Sequence, residues 1–402
     1  MLSLDEAQAR LLAAIAPLPV ERVALAQAFG RYAATEVAAK HLQPPFAASA
    51  MDGYAIRHAD LPGPWRLIGE SSAGARFEGR VGTGAAVRIF TGAPLPDGAD
   101  TVLVQEDAER IGDVVQLTGD GPPFAVAHIR AAGLDFARGD RLASVGTGFT
   151  AMRLGLIAAG GHSEVAVHRR PRIALLSTGN ELVAPGEAPG RDQIVNANGP
   201  MLGTLFAASG AELIDLGIVP DDRAAIAAAL GRARDADLLV TVGGASVGNH
   251  DLVLPVLEGE GATIDFWKVA IKPGKPMLTG TLGAMRVIGL PGNPVSAFVC
   301  AQLFVLPVLR RMAGAPSPLP PLLQARTTTP LVANGPRRDH LRATLAWGGD
   351  AFDVTAASRQ DSSMLRVLAD NNALLVRPEG APATGTGTFV PVMLLDSGFV
   401  AP

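Results

Sequence analysis

The sequence predicts a multidomain protein of the α/β plus β class: a doubly wound, mostly parallel sheet domain, a β-rich inserted domain before it and a small all-β C-terminal domain after it. Three observations predict this. The 402 residues exceed what one ordinary core holds together, so two to four domains are expected. From about residue 172, apolar runs alternate with helical stretches, which is the grammar of a parallel sheet covered by helices on both faces. Between about 41 and 140, and again beyond 323, short apolar stretches are divided by Gly, Pro and Asp turns.

The elements follow in order. Residues 3–16 read as an amphipathic helix, with Ser3 and Glu6 forming a capping box, and 21–39 continue with helix and strand signals. VRIF (87–90), TVLVQE (101–106) and VVQL (114–117) are strands of the middle segment, and TAMRLGLIAAGG (150–161) brings the chain back. RIALLS (172–177) is a strand, 198–209 a helix, 211–219 a strand, and 221–235 a helix with Asp221 as its cap. Residues 237–242 give a third strand, 253–259 a helix, 264–270 another strand, and 285–290 a strand leading into a helix around 294–312. APSPLPPLL (315–323) is a proline-rich linker, and ATLAW, FDVTAA, ALLVRP and TFVPVMLL are strands of the tail domain.

Composition removes several classes of function. A formal net charge of -4 and a pI near 6.0 leave no electrostatic footprint for nucleic acid or an anionic membrane. Cys300 is the single cysteine and sits in an apolar run, so no disulfide framework exists and a reducing cytoplasm is expected. Asp5 and Glu6 stand where a secretory signal carries positive charge. The longest apolar stretch, 297–309, is interrupted by Gln302 and Pro307 and is expected to fall short of a membrane span. The seven histidines are scattered, and His250 beside Asp251 reads as a turn residue, so no nucleophile or metal cluster stands out.

Chemistry concentrates at the carboxyl ends of the predicted parallel strands. VTVGGASVGNHD (240–251) runs from an apolar strand into bare backbone, a lone hydroxyl and a carboxylate. At such a strand end glycine lets the main chain approach an anion, and a helix N-terminus supplies free amides. Taken alone, the stretch is equally a tight strand-to-helix turn with Asp251 as cap. Lysine usage is sharper: the chain has 4 lysines against 30 arginines, and Lys268, Lys272 and Lys275 all fall within WKVAIKPGKPM (267–277). A compact ammonium in a narrow pocket explains Lys272 and Lys275, whereas Lys268 belongs to the strand. GLPGNPVSAF (289–298) repeats the pattern with Asn293 and Ser296 at a helix start, so one anion-binding crevice is expected.

STGNELV (177–183), GGASVGNHD (243–251), KVAIKPGKP (268–276) and GLPGNPVSAF (289–298), preceded by SAMDGYA (49–55) and FTGAPLPDGAD (90–100), resemble the molybdopterin molybdenumtransferase family, which is related to the C-terminal domain of gephyrin. The likeness runs in order over nearly the whole chain, and KPGKP with LPGNPVSA is its most specific part. It implies an enzyme that inserts molybdate into adenylylated molybdopterin, releases AMP and uses magnesium. It also implies a homodimer of four-domain subunits: an elongated mixed N-terminal domain (1–40 with 141–170), a β-rich inserted domain (41–140), an α/β molybdopterin-binding domain (171–314) and a C-terminal β domain (315–402).

Carried over position by position, the resemblance makes Asp52, Asp251, Lys272 and Lys275 the catalytic set, with Asp52 facing the cleft of the partner subunit. Ser246 and the amides of Gly243, Gly244 and Gly248 cradle the pterin phosphate. Thr91, Gly92, Ser177, Thr178, Gly179, Pro291, Gly292, Asn293, Pro294 and Ser296 complete the substrate site. Asp251 and Glu181 are the metal ligands, while Arg359, Ser362 and Ser363 are positioned to close the site from the tail domain. Two positions depart from the pattern: Asn180 and Asn196 stand where aspartate is common, so a cation there loses two charges. Two alternatives share this fold: a non-catalytic scaffold or molybdopterin-binding protein, and a molybdopterin adenylyltransferase. The retained Asp52, Asp251, Lys272 and Lys275 point away from the first, and the extra flanking domains point away from the second.

Overall fold

A computed structural model describes residues 1–243, 252–274 and 276–395. The chain divides into two compact units, one of residues 1–21, 30–34 and 166–402 and the other of 22–29 and 35–165. Helix α1 (Leu4–Ala13) opens the first unit, with the Ser3 hydroxyl accepting from the Glu6 amide.

The second unit is built mainly of strands. Its six-stranded sheet comprises β1 (Gly53–Ile56), β2 (Trp65–Ser71), β3 (Ala85–Ile89), β4 (Thr101–Val104), β5 (Ala108–Ile111) and β6 (Val114–Leu117), in the order β4-β1-β3-β2-β6-β5. Trp65, Ile56 and Leu103 are buried on one side of it, and Val87, Ile89 and Val102 on the other. Helix α2 (Ala151–Ala159) follows, capped by the Thr150 hydroxyl.

The α/β part of the first unit contains β7 (Arg172–Thr178), α3 (Asn198–Ala208), β8 (Glu212–Val219), α4 (Arg223–Arg232), β9 (Leu238–Val242), α5 (Val253–Gly259), β10 (Thr263–Lys268), the short β11 (Ile271–Lys272), β12 (Pro276–Leu282) and β13 (Met285–Leu290). The sheet order is β8-β7-β9-β13-β12-β10; the first four strands are parallel, and β12 and β10 are antiparallel additions. All five residues of β9 are buried, as expected of a strand covered on both faces. Leu175, Phe206, Leu290 and Phe304 pack on one face, while Leu176, Ile226, Leu239 and Val287 pack on the other. The chain leaves β7 through α3 to β8 on one side, then returns through α4 to β9 on the other. That reversal opens a crevice beyond the carboxyl ends of β7 and β9.

Helix α6 (Pro294–Met312) is the helix expected around 294–312 and runs unbroken through Gln302 and Pro307. Pro307 has no amide hydrogen to give to the Leu303 carbonyl, four residues earlier. The helix widens into a π-turn at Ala301–Val305, and the Gln8 side chain of α1 donates to that carbonyl at 2.8 Å. By length and composition α6 could cross a membrane, but 83% of its apolar window is buried inside the protein. Strands β14 (Leu323–Thr327), β15 (Arg338–Trp347), β16 (Phe352–Ala356), β17 (Ala373–Arg377) and β18 (Phe389–Leu394) close into a small barrel in the order β15-β16-β14-β18-β17, with α7 (Leu365–Ala369) between β16 and β17. β11 pairs with the start of β15 and so ties the lysine-rich turn to the barrel.

The cap of α4 is Asp222, one residue beyond the expected Asp221, and its Oδ1 accepts from the Ala225 amide at 2.8 Å. Asp221 instead exchanges two hydrogen bonds with Asn180: its amide donates to the Asn180 Oδ1, and its carboxylate accepts from the Asn180 amide. Asp222→Ala is expected to cost about 1 kcal/mol and to lower the Tm by roughly 2–4 °C. Equal losses from Asp221→Ala and Asp222→Ala in thermal denaturation would refute the assignment of the cap.

Candidate functional site

A cavity of about 580 Å³ occupies the crevice at the carboxyl ends of β7, β9 and β13. Ser177 and Thr178 reach it from β7, Val242 and Gly243 from β9, and the turn Pro291, Gly292, Asn293, Pro294 from β13 and the start of α6. Glu181, Leu182 and residues 194–198 form another wall, and Ser363 arrives from the segment after β16. The first residues of α3 and α6 both line the space, so two helices bring their partial positive ends to it.

Gly243 shows why the strand ends bare. Its φ is +85°, and a Cβ there would lie 2.9 Å from the Thr178 carbonyl oxygen, so any side chain would be both strained and crowded. Asn198, the first residue of α3, donates through Nδ2 to the Gly292 carbonyl at 2.7 Å. A carbonyl only accepts, so this contact fixes which way the amide faces. The Asn198 Oδ1 is enclosed and receives no hydrogen bond among the described residues. Such an orphaned acceptor invites a donor supplied by a ligand.

The predicted residues divide as follows. Ser177, Thr178, Gly243, Pro291, Gly292, Asn293, Pro294 and Glu181 line the one cavity. The side chain of Glu181 has no hydrogen bond or ion pair among the described residues, and Gly179, at φ +149°, leaves room for its carboxylate, which a Cβ would meet at 2.5 Å. Gly179 itself does not line the space, nor does Ser296, which is 5% exposed within α6. Lys272 lies on β11 with its ammonium 3.3 Å from the Asp339 carboxylate, tied to the barrel and outside the cavity wall. Gly244, Ser246, Gly248, His250, Asp251 and Lys275 lie outside the described residues. Arg359 is exposed and makes no hydrogen bond or ion pair among the described residues.

Asp52, Thr91 and Gly92 meet one another in the second unit. The Asp52 Oδ1 accepts from the Thr91 amide at 2.7 Å and from its hydroxyl at 2.9 Å. These two bonds, the backbone one first, hold the Asp52 carboxyl below its ordinary range, with the Arg88 charge adding to the effect. Gly92 takes φ +81°, and its amide donates to the Ser49 carbonyl.

The two departures from aspartate have local reasons. Asn180 sits against Asp221, where a second carboxylate would repel the first; the amide oxygen accepts the Asp221 N–H without that charge. The Asn196 Oδ1 accepts from the Gly199 amide at 3.1 Å and caps the start of α3. Among the described residues no cluster of three or more His, Cys, Asp or Glu side chains is poised for a metal, and Glu181 is the one carboxylate lining the cavity. Sequence reasoning missed Leu182, residues 194–195 and Asn198; the signal available was the predicted helix start at 198, which must lie at the carboxyl edge of the sheet.

Comparison with known proteins follows this geometry. Residues 2–161 match the MoeA N-terminal region (domain I and II), 174–311 a probable molybdopterin binding domain, and 324–395 the MoeA C-terminal region (domain IV). The molybdopterin molybdenumtransferase of Haemophilus influenzae is 38% identical over 318 residues, 78% of each chain. Molybdopterin molybdenumtransferase 1 of Mycobacterium tuberculosis is 34% identical over 426 residues, 98% of this chain and 99% of its own. The crystal structure of the molybdopterin biosynthesis MoeA protein from Pyrococcus horikoshii superposes with a TM-score of 0.83 at 27% identity, covering 98% of this chain and 100% of that one.

Proposed function

Because the chain belongs to the molybdopterin molybdenumtransferase family, we propose that it inserts molybdate into adenylylated molybdopterin, releasing AMP and forming molybdenum cofactor. The observation that carries this reading is the cavity at the strand reversal, where two helix starts and the bare Gly243 turn surround space suited to an anionic ligand. It falls within residues 174–311, the stretch that matches the probable molybdopterin binding domain. The Asn198 Oδ1 adds an acceptor for an N–H, which a pterin ring offers and a phosphate does not. Matches on both sides, over 2–161 and 324–395, speak against a lone adenylyltransferase unit.

The chemistry asked of these residues is positioning and charge neutralisation. Molybdate, a dithiolene and a phosphoanhydride are all negative, so their approach requires fixed positive groups and amides. The helix starts and the Gly243 turn supply amides, Lys275 is assigned an ammonium for the substrate oxygens, and Lys272 would serve them only by exchanging its Asp339 partner. Magnesium, held by Glu181 and Asp251 together with phosphate oxygens, would offset charge at the anhydride, in keeping with its preference for few protein carboxylates. Asp52 belongs to the catalytic set in a homodimer, contributed by the partner subunit, and the enzyme works in the cytoplasm, where its one thiol stays reduced.

The test is direct. Purified protein incubated with adenylylated molybdopterin, molybdate and magnesium is expected to release AMP in step with cofactor formation, and light scattering is expected to give twice the chain mass. AMP release no faster than in a protein-free control would overturn the proposed activity, and a monomer at micromolar concentration would overturn the shared site.

A further inference from the structure

Residues 357–363 reach the cavity from the barrel, and a buried cation underlies them. Arg342, in the middle of β15 opposite Leu374 of β17, is 1% exposed. Its guanidinium donates through Nη2 to the Asp361 carbonyl at 3.4 Å and through Nη1 to the His340 carbonyl at 3.5 Å, while Nε is enclosed without a partner. Gln360 grips the Arg342 main chain from the other side: its Oε1 accepts the Arg342 amide at 2.9 Å, and its Nε2 donates to the Arg342 carbonyl at 3.0 Å.

The next three residues carry this hold to the cavity. The Asp361 carboxylate accepts from the Ser363 amide and hydroxyl at 2.9 and 2.6 Å. The Ser362 hydroxyl accepts from the Asn293 Nδ2 at 3.2 Å, and its carbonyl accepts from the Val295 amide at 3.1 Å, at the start of α6. Ser363 and Asn293 both line the cavity. Stability alone gives no reason for the arginine, since a buried charge replaced by an apolar residue of similar volume is often neutral or stabilising. The long contacts and the unpartnered Nε make it a costly residue to bury here. What it does contribute is a fixed place for Asp361 and the two serines after it.

We propose that Arg342 is a positioning residue for the reaction: by holding the Asp361 carbonyl against the barrel, beside the grip of Gln360 on the β15 main chain, its guanidinium sets Ser362 and Ser363 at the rim of the cavity. This rests on the function proposed above. Arg342→Met is expected to keep the Tm of the wild type or raise it. The same variant should lose kcat/KM by about tenfold, chiefly through KM for adenylylated molybdopterin, as a displaced binding edge would. Trypsin supplies a reading independent of turnover, because Arg359 is exposed within the same segment; cleavage after it should be several-fold faster in the Met variant. Gln360→Ala removes the other hold on the segment, the one on the β15 main chain, and should raise KM in the same direction if the seat of this segment sets the rim. Unchanged KM and unchanged cleavage in a folded Arg342→Met would overturn the role of Arg342, and unchanged KM in Gln360→Ala would overturn its premise, that the seat of this segment sets the binding edge. A Tm loss that accounts for the missing activity would do so too. A wild-type chain that releases no AMP overturns the proposed function itself, whereas an active wild type with an unaffected variant overturns only this role.

Discussion

Gly274→Ala is expected to lower the Tm by roughly 5–10 °C and to slow AMP release by about tenfold, the largest loss expected from a single methyl group in this protein. Gly274 takes φ +103°, a region that side chains rarely enter, and a Cβ there would lie 2.4 Å from the Cys300 sulfur. The backbone conformation costs about 1–2 kcal/mol, and forcing a methyl into a packed site costs a further 1–3 kcal/mol or so. Cys300 is fully buried in α6, with burial pushing its thiol up to about 12, so it stays protonated and its S–H faces the Gly274 carbonyl at 3.6 Å. The turn that separates Lys272 from Lys275 is therefore seated on α6, whose start also forms part of the cavity wall.

The two contributions can be separated. Adding Cys300→Ala removes the clash but leaves the strained φ, so the double variant should recover part of the lost Tm and no more. A Gly274→Ala protein with the Tm and rate of the wild type would show that the turn adapts freely, and would remove the reason for a glycine between the two lysines.

How far the sequence disclosed this architecture depends on how local each cause is. The strand Leu238–Val242 was legible because burial on both faces leaves an unbroken apolar run, and helix α4 because its period and its acidic start lie within one short stretch. β12 was not legible. It begins at Pro276 and carries Gly280 mid-strand, both ordinary loop signals, yet Gly280 is required there because a Cβ would meet the Thr263 carbonyl oxygen at 2.4 Å. How α6 carries Pro307 was not legible for a similar reason: the group that satisfies the freed Leu303 carbonyl is Gln8, far away along the chain.

The cavity was legible where glycine and proline mark the strand ends, at Gly243 and Pro291–Pro294, since those residue types answer a local backbone demand. Its other wall was not, because Leu182 and residues 194–198 gain their role from the order of strands in the sheet. Lys272 illustrates both sides. Its rarity in an arginine-rich chain marked it as special, but its partner Asp339 sits on β15 and belongs to no local motif. The hydrogen bonds that explain Asn180 and Asn196 are likewise visible only once the neighbouring loops are in place.

Asp52→Asn tests whether the second unit's carboxylate serves the reaction or only its own turn. Asparagine keeps an Oδ1 that can accept from the Thr91 amide and hydroxyl, now 2.7 and 2.9 Å away, so the turn and the Tm should be preserved. What disappears is the negative charge. If that charge contacts the reacting groups or their cation, its loss removes a charge-assisted interaction, and AMP release should slow by roughly ten- to a hundredfold. The pH profile gives an independent sign. Because the Thr91 bonds hold the Asp52 carboxyl below its ordinary range, it remains ionised as pH falls toward 5, so the wild-type rate should show no acid loss from this group above that pH. The Asn variant should therefore be slower by the same factor at pH 8 and at pH 5.5. Asp52→Glu restores the charge on a longer arm that cannot keep both Thr91 bonds, and a partial return of rate is expected. A fully active Asp52→Asn protein would reduce Asp52 to a turn residue and confine the chemistry to the first unit.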